Sequence, residues 1–308
     1  MLKKSNLLKK LVYFILSNPL NSSNQWTFVK YIQLVNLLRF AKYSIFRRLR
    51  NFLLYLPEGR AYTQNVVGDP VAFSYRTELY DDLRIECRSN FSEYELISRQ
   101  FFYTSSKSAR IILDIGAYSA IYSITAGLAN VDAHVYAFEP NPEIFALAKH
   151  NVESNNLSMS ISLMQIALSN QIGKEKLYFN VSGWESATAS LNKRGDKYIE
   201  VEVSTIDLVF RNIQVDLIKI DVEGFEGKVF SGGLNTILNS HPIILSEVLS
   251  EKDMASQSEV LLSLGYETPI QVSLDPKSSD FRNYIWFTQD KREVVLRDLR
   301  ETQYTLFK

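Results

Sequence analysis

Beyond residue 110 the chain alternates short, continuously apolar runs with stretches whose apolar residues recur every three or four positions. The runs are Ile111–Leu113, Val135–Phe138, Ile161–Met164, Leu217–Ile220 and Ile243–Leu245. Each has the length of a strand buried on both faces. Between them, helices are predicted over about Ser119–Leu128, Pro142–Asn155, Val229–Leu238 and Ser258–Leu264. Apolar strands separated by helices imply a doubly wound α/β fold around a mostly parallel sheet. Gly173–Val203 interrupts the alternation, and KLYFN and YIEVEV within it read as an antiparallel pair.

Ahead of that region, residues 61–108 read as a short α/β adaptor. Val71–Tyr75 and Leu83–Cys87 resemble two brief strands, and Ser92 stands three residues before Glu95, as in a capping box. Tyr94, Ile97, Phe101 and Phe102 supply an apolar helix face, and the polar TSSKS string, Thr104–Ser108, is expected to end the adaptor. The principal domain is then 109–290, with 291–308 as a charged tail. From Trp26 to Leu56, apolar residues including Phe28, Ile32, Val35, Leu49 and Phe52 recur with helical spacing, so 1–60 reads as a helical extension.

Charge divides along the same line. The chain of 308 residues has 34 basic and 34 acidic side chains, yet residues 1–60 hold eleven Lys or Arg against the single acid Glu58. The extension carries +10 and the remainder −10. Two readings of the extension stand: a cap packed on the main domain, or an in-plane amphipathic segment in peripheral contact with anionic membrane. Binding to anionic vesicles separates them. The Leu11–Leu16 run is too short for a secretory signal, and Arg39, Lys42, Arg47, Arg48 and Arg50 break the later stretch, so no transmembrane span is expected. One cysteine, Cys87, excludes an internal disulfide and fits a reducing, cytoplasmic setting. No nucleic acid partner is expected, because no aromatic-interleaved basic patch accompanies the charge.

In an open α/β sheet, ligands bind beyond the carboxyl ends of the strands. The first strand runs into Asp114 and Gly116, with Tyr118, Ser119 and Ala120 in the following turn. Glu139 ends the second strand before Pro140, Asn141 and Pro142, where a carboxylate can receive the two hydroxyls of a ribose. The fourth strand ends in Asp221, Glu223 and Glu226, and the fifth in Glu247. This acidic crevice suits a cationic sulfonium and disfavours the pyrophosphate of a nicotinamide dinucleotide. Glu226 is expected to cap the helix after it. Lys219 is expected to pair with an acid, and His134, His150 and His241 show no ligand spacing, so no metal centre is assigned.

With LDIGAYSAIYS, VYAFEPNPEIFALAKHN, IALSN, STIDLVF, IKIDVEGFEGKVFSGG and IILSE in order and spacing, the sequence resembles the FkbM family of S-adenosylmethionine-dependent methyltransferases over about Leu113–Tyr266. The resemblance implies a Rossmann-like methyltransferase fold with S-adenosyl-L-methionine as cofactor. It also implies O-methylation of a small-molecule, sugar or glycan acceptor. Asp114, Gly116 and Tyr118 would then lie at the methionine part, Glu139 at the ribose, and Pro140, Asn141, Gln165 and Ala167 around the adenine. Asp221, Glu223 and Glu247 would face the transferred methyl and the acceptor, as the catalytic set. The family pattern has Asn and Gly where Tyr118 and Ala120 stand, and an alanine there calls for negative φ. A non-catalytic adenosine-binding or interaction module with the same fold is the alternative.

Overall fold

A computed structural model of the chain describes residues 61–63, 74–76, 95–179, 189–192 and 197–302. The basic extension, Leu83–Cys87, Ser92 and Cys87 lie outside them. Strands β1 (Ala61–Thr63) and β2 (Ser74–Arg76) pair antiparallel. Helix α1 (Leu96–Ser106) leads into β3 (Ile111–Ile115), α2 (Ile121–Ala129), β4 (His134–Phe138), α3 (Pro142–Ser154) and β5 (Ile161–Met164). A small sheet follows, made of β6 (Ala167–Leu168), β7 (Gly173–Phe179) and β8 (Lys197–Ser204). Then come α4 (Ile206–Val209), β9 (Leu217–Ile220), α5 (Glu226–Ser231), α6 (Leu234–Ser240), β10 (Ile243–Glu247), α7 (Glu251–Ser263), β11 (Ile270–Gln271), β12 (Asn283–Trp286) and α8 (Arg292–Arg300).

Seven strands form the main sheet in the order β11-β12-β10-β9-β3-β4-β5, parallel from β10 to β5, with β12 antiparallel to both of its neighbours. The fold is the Rossmann-like, doubly wound α/β arrangement expected. The chain moves outward from β3 to β5 and returns to place β9 on the other side of β3, so the loops after β3 and β9 diverge and open a crevice.

Successive residues within a strand point to opposite faces. Ile112, Leu217, Ile243 and Leu245 enter one core with Phe101, Phe102, Ile124, Val135 and Val152. Leu113, Ile115, Ile218, Ile220 and Ile244 enter the other, with Phe210, Phe230, Leu261 and Trp286. Both faces are therefore covered by helices, and this is why the strands read as unbroken apolar runs. The antiparallel pair expected in the interruption is β7 with β8.

Three expectations are revised. Thr104–Ser106 are not a polar break but the last turn of α1, with Ser105 and Ser106 buried. Likewise, Arg292–Arg300 is not a charged tail: Val295 and Leu299, four residues apart on one face of α8, join the same core as Phe101 and Phe102. Arg297, Asp298 and Arg300 around Leu299, with Arg292 and Glu293 at the start, give the segment its charged look. The helix expected over Val229–Leu238 is two, α5 and α6, divided at Gly232 and Gly233, where a Cβ on Gly232 would stand 2.0 Å from the Ser169 carbonyl oxygen.

Helix α1 takes its caps from far along the chain. Asp280 accepts from the Ile97 and Ser98 backbone N–H groups at 3.2 and 2.9 Å and from the Ser98 hydroxyl at 2.5 Å. At the other end, the Ser105 hydroxyl donates to Asp298 at 2.8 Å. Both aspartates are buried. Asp280→Ala would strand several donors at a buried helix start, and a loss of about 2–3 kcal/mol is expected in chemical denaturation. A loss under about 0.5 kcal/mol would mean that water replaces the carboxylate.

Candidate active site

Beyond the carboxyl ends of β3, β4 and β9 lies a cavity of about 310 Å³, walled by Gly116, Tyr118, Glu139, Pro140, Ala167, Asp221, Glu223 and Glu247 among others. The small sheet covers one side through Leu168 and Leu177, with Ser190 and Leu191 beside it. Eight of the eleven residues expected at the site thus meet in one place.

The turn after β3 is tight because its first amide groups bond back to the sheet. The Gly116 and Ala117 N–H groups both donate to the Phe138 carbonyl, and the Asp221 N–H donates to that of Ile115. Gly116 has φ 77°, and a Cβ there would lie 1.9 Å from the Asp221 carbonyl oxygen. Asp114 is not on the cavity wall. It is fully buried behind the turn, where its Oδ2 accepts from the backbone and hydroxyl of Ser123 at 2.9 and 2.6 Å and so holds the start of α2. Lys219 Nζ, 3.9 Å from Asp114 Oδ1 and 3.6 Å from Asp221 Oδ2, donates to the Gly116 carbonyl at 3.1 Å. The pairing expected of Lys219 is therefore present. Burial acts to lower its pKa, but Asp221 and Asp114 outweigh that and raise it. One ammonium thus ties the ends of β3 and β9 together.

Glu139 is held at the end of β4 by two backbone donors: Asn141 N–H to Oε1 at 2.9 Å and Tyr118 N–H to Oε2 at 3.0 Å. Burial pushes its pKa up to about 7, against the pull of those donors. Each oxygen keeps a second lone pair, the acceptor set that a ribose diol requires. Asn141 caps α3 by accepting from the Glu143 N–H, and it stands behind the wall. Gln165 is exposed and also off the wall; Ile166, Ala167 and Leu168 take its place as the chain turns from β5 into β6.

Opposite Glu139, carboxylate oxygens of Asp221, Glu223 and Glu247 lie within 4.8 Å of one another. Burial first, then repulsion from Asp221 and Glu223, pushes the Glu247 carboxyl well above the usual carboxylate range, where it shares a hydrogen bond with Asp221. Glu226 does not cap α5 in the usual way. Its buried Oε1 accepts from the N–H groups of Val222 and Gly224 and shapes the loop that presents Glu223. Such a cluster is built to face positive charge.

Tyr118, Ala120 and Glu223 all have left-handed backbones, with φ of 48°, 65° and 57°. Ala120 thus departs from the negative φ expected of it. Away from glycine this conformation costs about 1–2 kcal/mol per residue, and its concentration around one cavity is typical of a functional site. Sequence reading passed over three further wall residues, Glu95, Arg99 and Tyr122. Glu95 reads in the sequence only as a capping residue, Arg99 belongs to no motif, and Tyr122 stands within LDIGAYSAIYS with no role of its own assigned there.

The sequence profile described as "Methyltransferase FkbM domain" matches residues 114–269, half of the chain. No curated protein matches significantly. Among solved structures, similarity is found to a methyltransferase FkbM from Methylobacillus flagellatus KT, at 15% identity and a TM-score of 0.43 over 84% of this chain and 58% of that one. This chain thus spans less than two thirds of that protein's length. A putative O-methyltransferase from Klebsiella pneumoniae matches at 12% identity and a TM-score of 0.41, over 62% of this chain and 79% of that one. An O-methyltransferase from Bacillus cereus in complex with SAH matches at 14% and 0.42, over 66% and 86%. Among the described residues no helix is long and apolar enough to cross a membrane.

Proposed function

The chain belongs to the FkbM methyltransferase family, which implies use of S-adenosylmethionine, and from that premise we propose that it methylates a hydroxyl of a sugar, glycan or natural-product acceptor. The observation that carries this reading is the division of the cavity: a diol-accepting carboxylate, Glu139, on one side, and the cluster Asp221, Glu223 and Glu247 on the other. S-adenosylmethionine, when bound, supplies an electrophilic methyl on a sulfonium. Glu139 would hold the ribose, with Pro140 and Ala167 beside the adenine. Gly116 and Tyr118 would border the methionine part, with Asp114 acting from behind through α2 and Lys219.

Because a sulfonium is a good leaving group, orientation of the nucleophile supplies much of the acceleration. A sugar hydroxyl titrates far above neutrality and gains from a base. Asp221 is the carboxylate assigned to it, and would accept the proton that the acceptor hydroxyl gives up as it takes the methyl group. Glu223 and Glu247 shape the acceptor side. The hydrogen bond from the Glu247 carboxyl would keep Asp221 oriented.

Calorimetry with S-adenosylmethionine, S-adenosylhomocysteine and NAD tests the reading. Micromolar binding of the first two, with no heat from NAD, is expected. NAD binding alone would overturn it in favour of a dehydrogenase, and no binding of any of the three would favour a non-catalytic module.

A further inference from the structure

The methyl-transfer face has a wall that does not come from the family-matched segment. Glu95 precedes residue 114, yet it lines the same cavity as Lys219, Asp221 and Glu247. Its Oε2 accepts from the Tyr122 hydroxyl at 2.9 Å, and Tyr122 is itself buried, with its ring 5.2 Å from Lys219 Nζ. Among the described residues, none donates to Oε1.

The backbone around Glu95 is arranged at a cost. It adopts φ 46° and ψ 38° at the N-cap of α1, with its N–H donating to Ser279 Oγ at 2.6 Å. A carboxylate at an N-cap ordinarily accepts from its own helix. Here Asp280 does that, and the Glu95 side chain is left to reach the cavity. A left-handed, non-glycine residue held from outside its own element is the kind of strain that functional sites store.

Resting on the methyltransferase reading above, we propose that Glu95 is an acceptor-contacting residue: Tyr122 fixes its carboxylate, and Oε1 accepts a hydrogen bond from the nucleophile where the methyl group arrives. Asp221 receives the proton, and Glu95 orients the hydroxyl from the facing wall. Burial and the nearby Asp221 push Glu95 up to about 7, so the charged form becomes available near neutral pH. The segment ahead of the family domain thereby completes the site, held in register by Ser279 and Asp280.

Sinefungin, in which an amine-bearing carbon replaces the S-methyl sulfonium, places an ammonium at the transfer point and so probes Glu95 with no acceptor present. The full chain, E95Q and E95N are titrated with sinefungin and with S-adenosylhomocysteine. Asparagine tolerates the left-handed backbone, which protects the second variant from misfolding. We expect sinefungin affinity to fall at least fivefold in both variants, with S-adenosylhomocysteine within twofold of the parent. An unchanged ratio of the two affinities would overturn the proposal, as would a parallel loss of both ligands or failure of both variants to fold, which would make Glu95 structural. If the parent chain itself binds neither ligand, the methyltransferase reading fails, and that outcome is separate.

Discussion

Asp221→Ala is expected to bind S-adenosylhomocysteine within about twofold of the parent while methyl transfer falls by about 10²–10⁴, the usual worth of a positioned general base. Folding should survive, because the Asp221 side chain is 34% exposed and Lys219 keeps the Gly116 carbonyl and Asp114 as partners. Cofactor affinity should survive as well. Asp221 is one of the groups that raise the Glu247 pKa. The thioether of S-adenosylhomocysteine carries no charge for Asp221 to meet, and for a bound sulfonium Glu247 ionises more readily once Asp221 is gone, which partly restores the negative charge. Transfer is followed as S-adenosylhomocysteine formed with a sugar acceptor. Undiminished transfer would remove Asp221 from its role, and equal losses of binding and transfer would make it a binding residue.

Gly116→Ala should be more damaging to the fold than any other single methyl added in this region. The residue has φ 77°, which alone costs a non-glycine about 1–2 kcal/mol. Its Cβ would fall 1.9 Å from the Asp221 carbonyl oxygen and 2.9 Å from that carbonyl carbon, both backbone atoms. The loops after β3 and β9 would have to part by more than an ångström. That movement strains the Asp221 N–H bond to Ile115 and the Lys219 bond to the Gly116 carbonyl. With overpacking and two weakened hydrogen bonds added, a loss of about 4–6 kcal/mol is expected in denaturant unfolding, together with loss of S-adenosylhomocysteine binding. Gly173→Ala is the control: its φ of 135° is also a glycine conformation, at about 1–3 kcal/mol for alanine, but nothing lies within 4 Å of the added Cβ, so the conformational cost stands alone. Similar losses in the two variants would show that conformation, and not the crossing of the loops, makes Gly116 necessary.

What was legible beforehand follows from range. A parallel sheet buried on both faces writes itself into apolar runs, so Ile161–Met164 and Leu217–Ile220 are strands over just the span their hydrophobicity marks. The ends of β3, β4, β9 and β10 were legible for the same reason, and with them Glu139, Asp221, Glu223 and Glu247. Residues tied to a strand end inherit its position. Glu95 and Arg99 have no such tie. They stand on a helix whose place depends on Asp280 and Asp298, some 180 residues away in sequence. The family resemblance implies a place on the wall for Asp114 and Gln165, but whether a side chain faces the crevice depends on the local turn. At Asp114 that side chain meets Ser123, and at Gln165 it meets solvent.

The sequence by itself determined the strand and helix alternation, the resulting doubly wound class, and the family, because hydrophobic periodicity and short motifs are local properties. It also determined that +10 of charge stands apart in the first sixty residues. Only the tertiary structure decided that α1 and α8 belong to the core of the sheet. It alone brought Glu95 opposite Asp221, and it alone set Tyr118, Ala120 and Glu223 in left-handed conformations. Those outcomes depend on contacts between distant segments, where packing and buried hydrogen bonds override local preference.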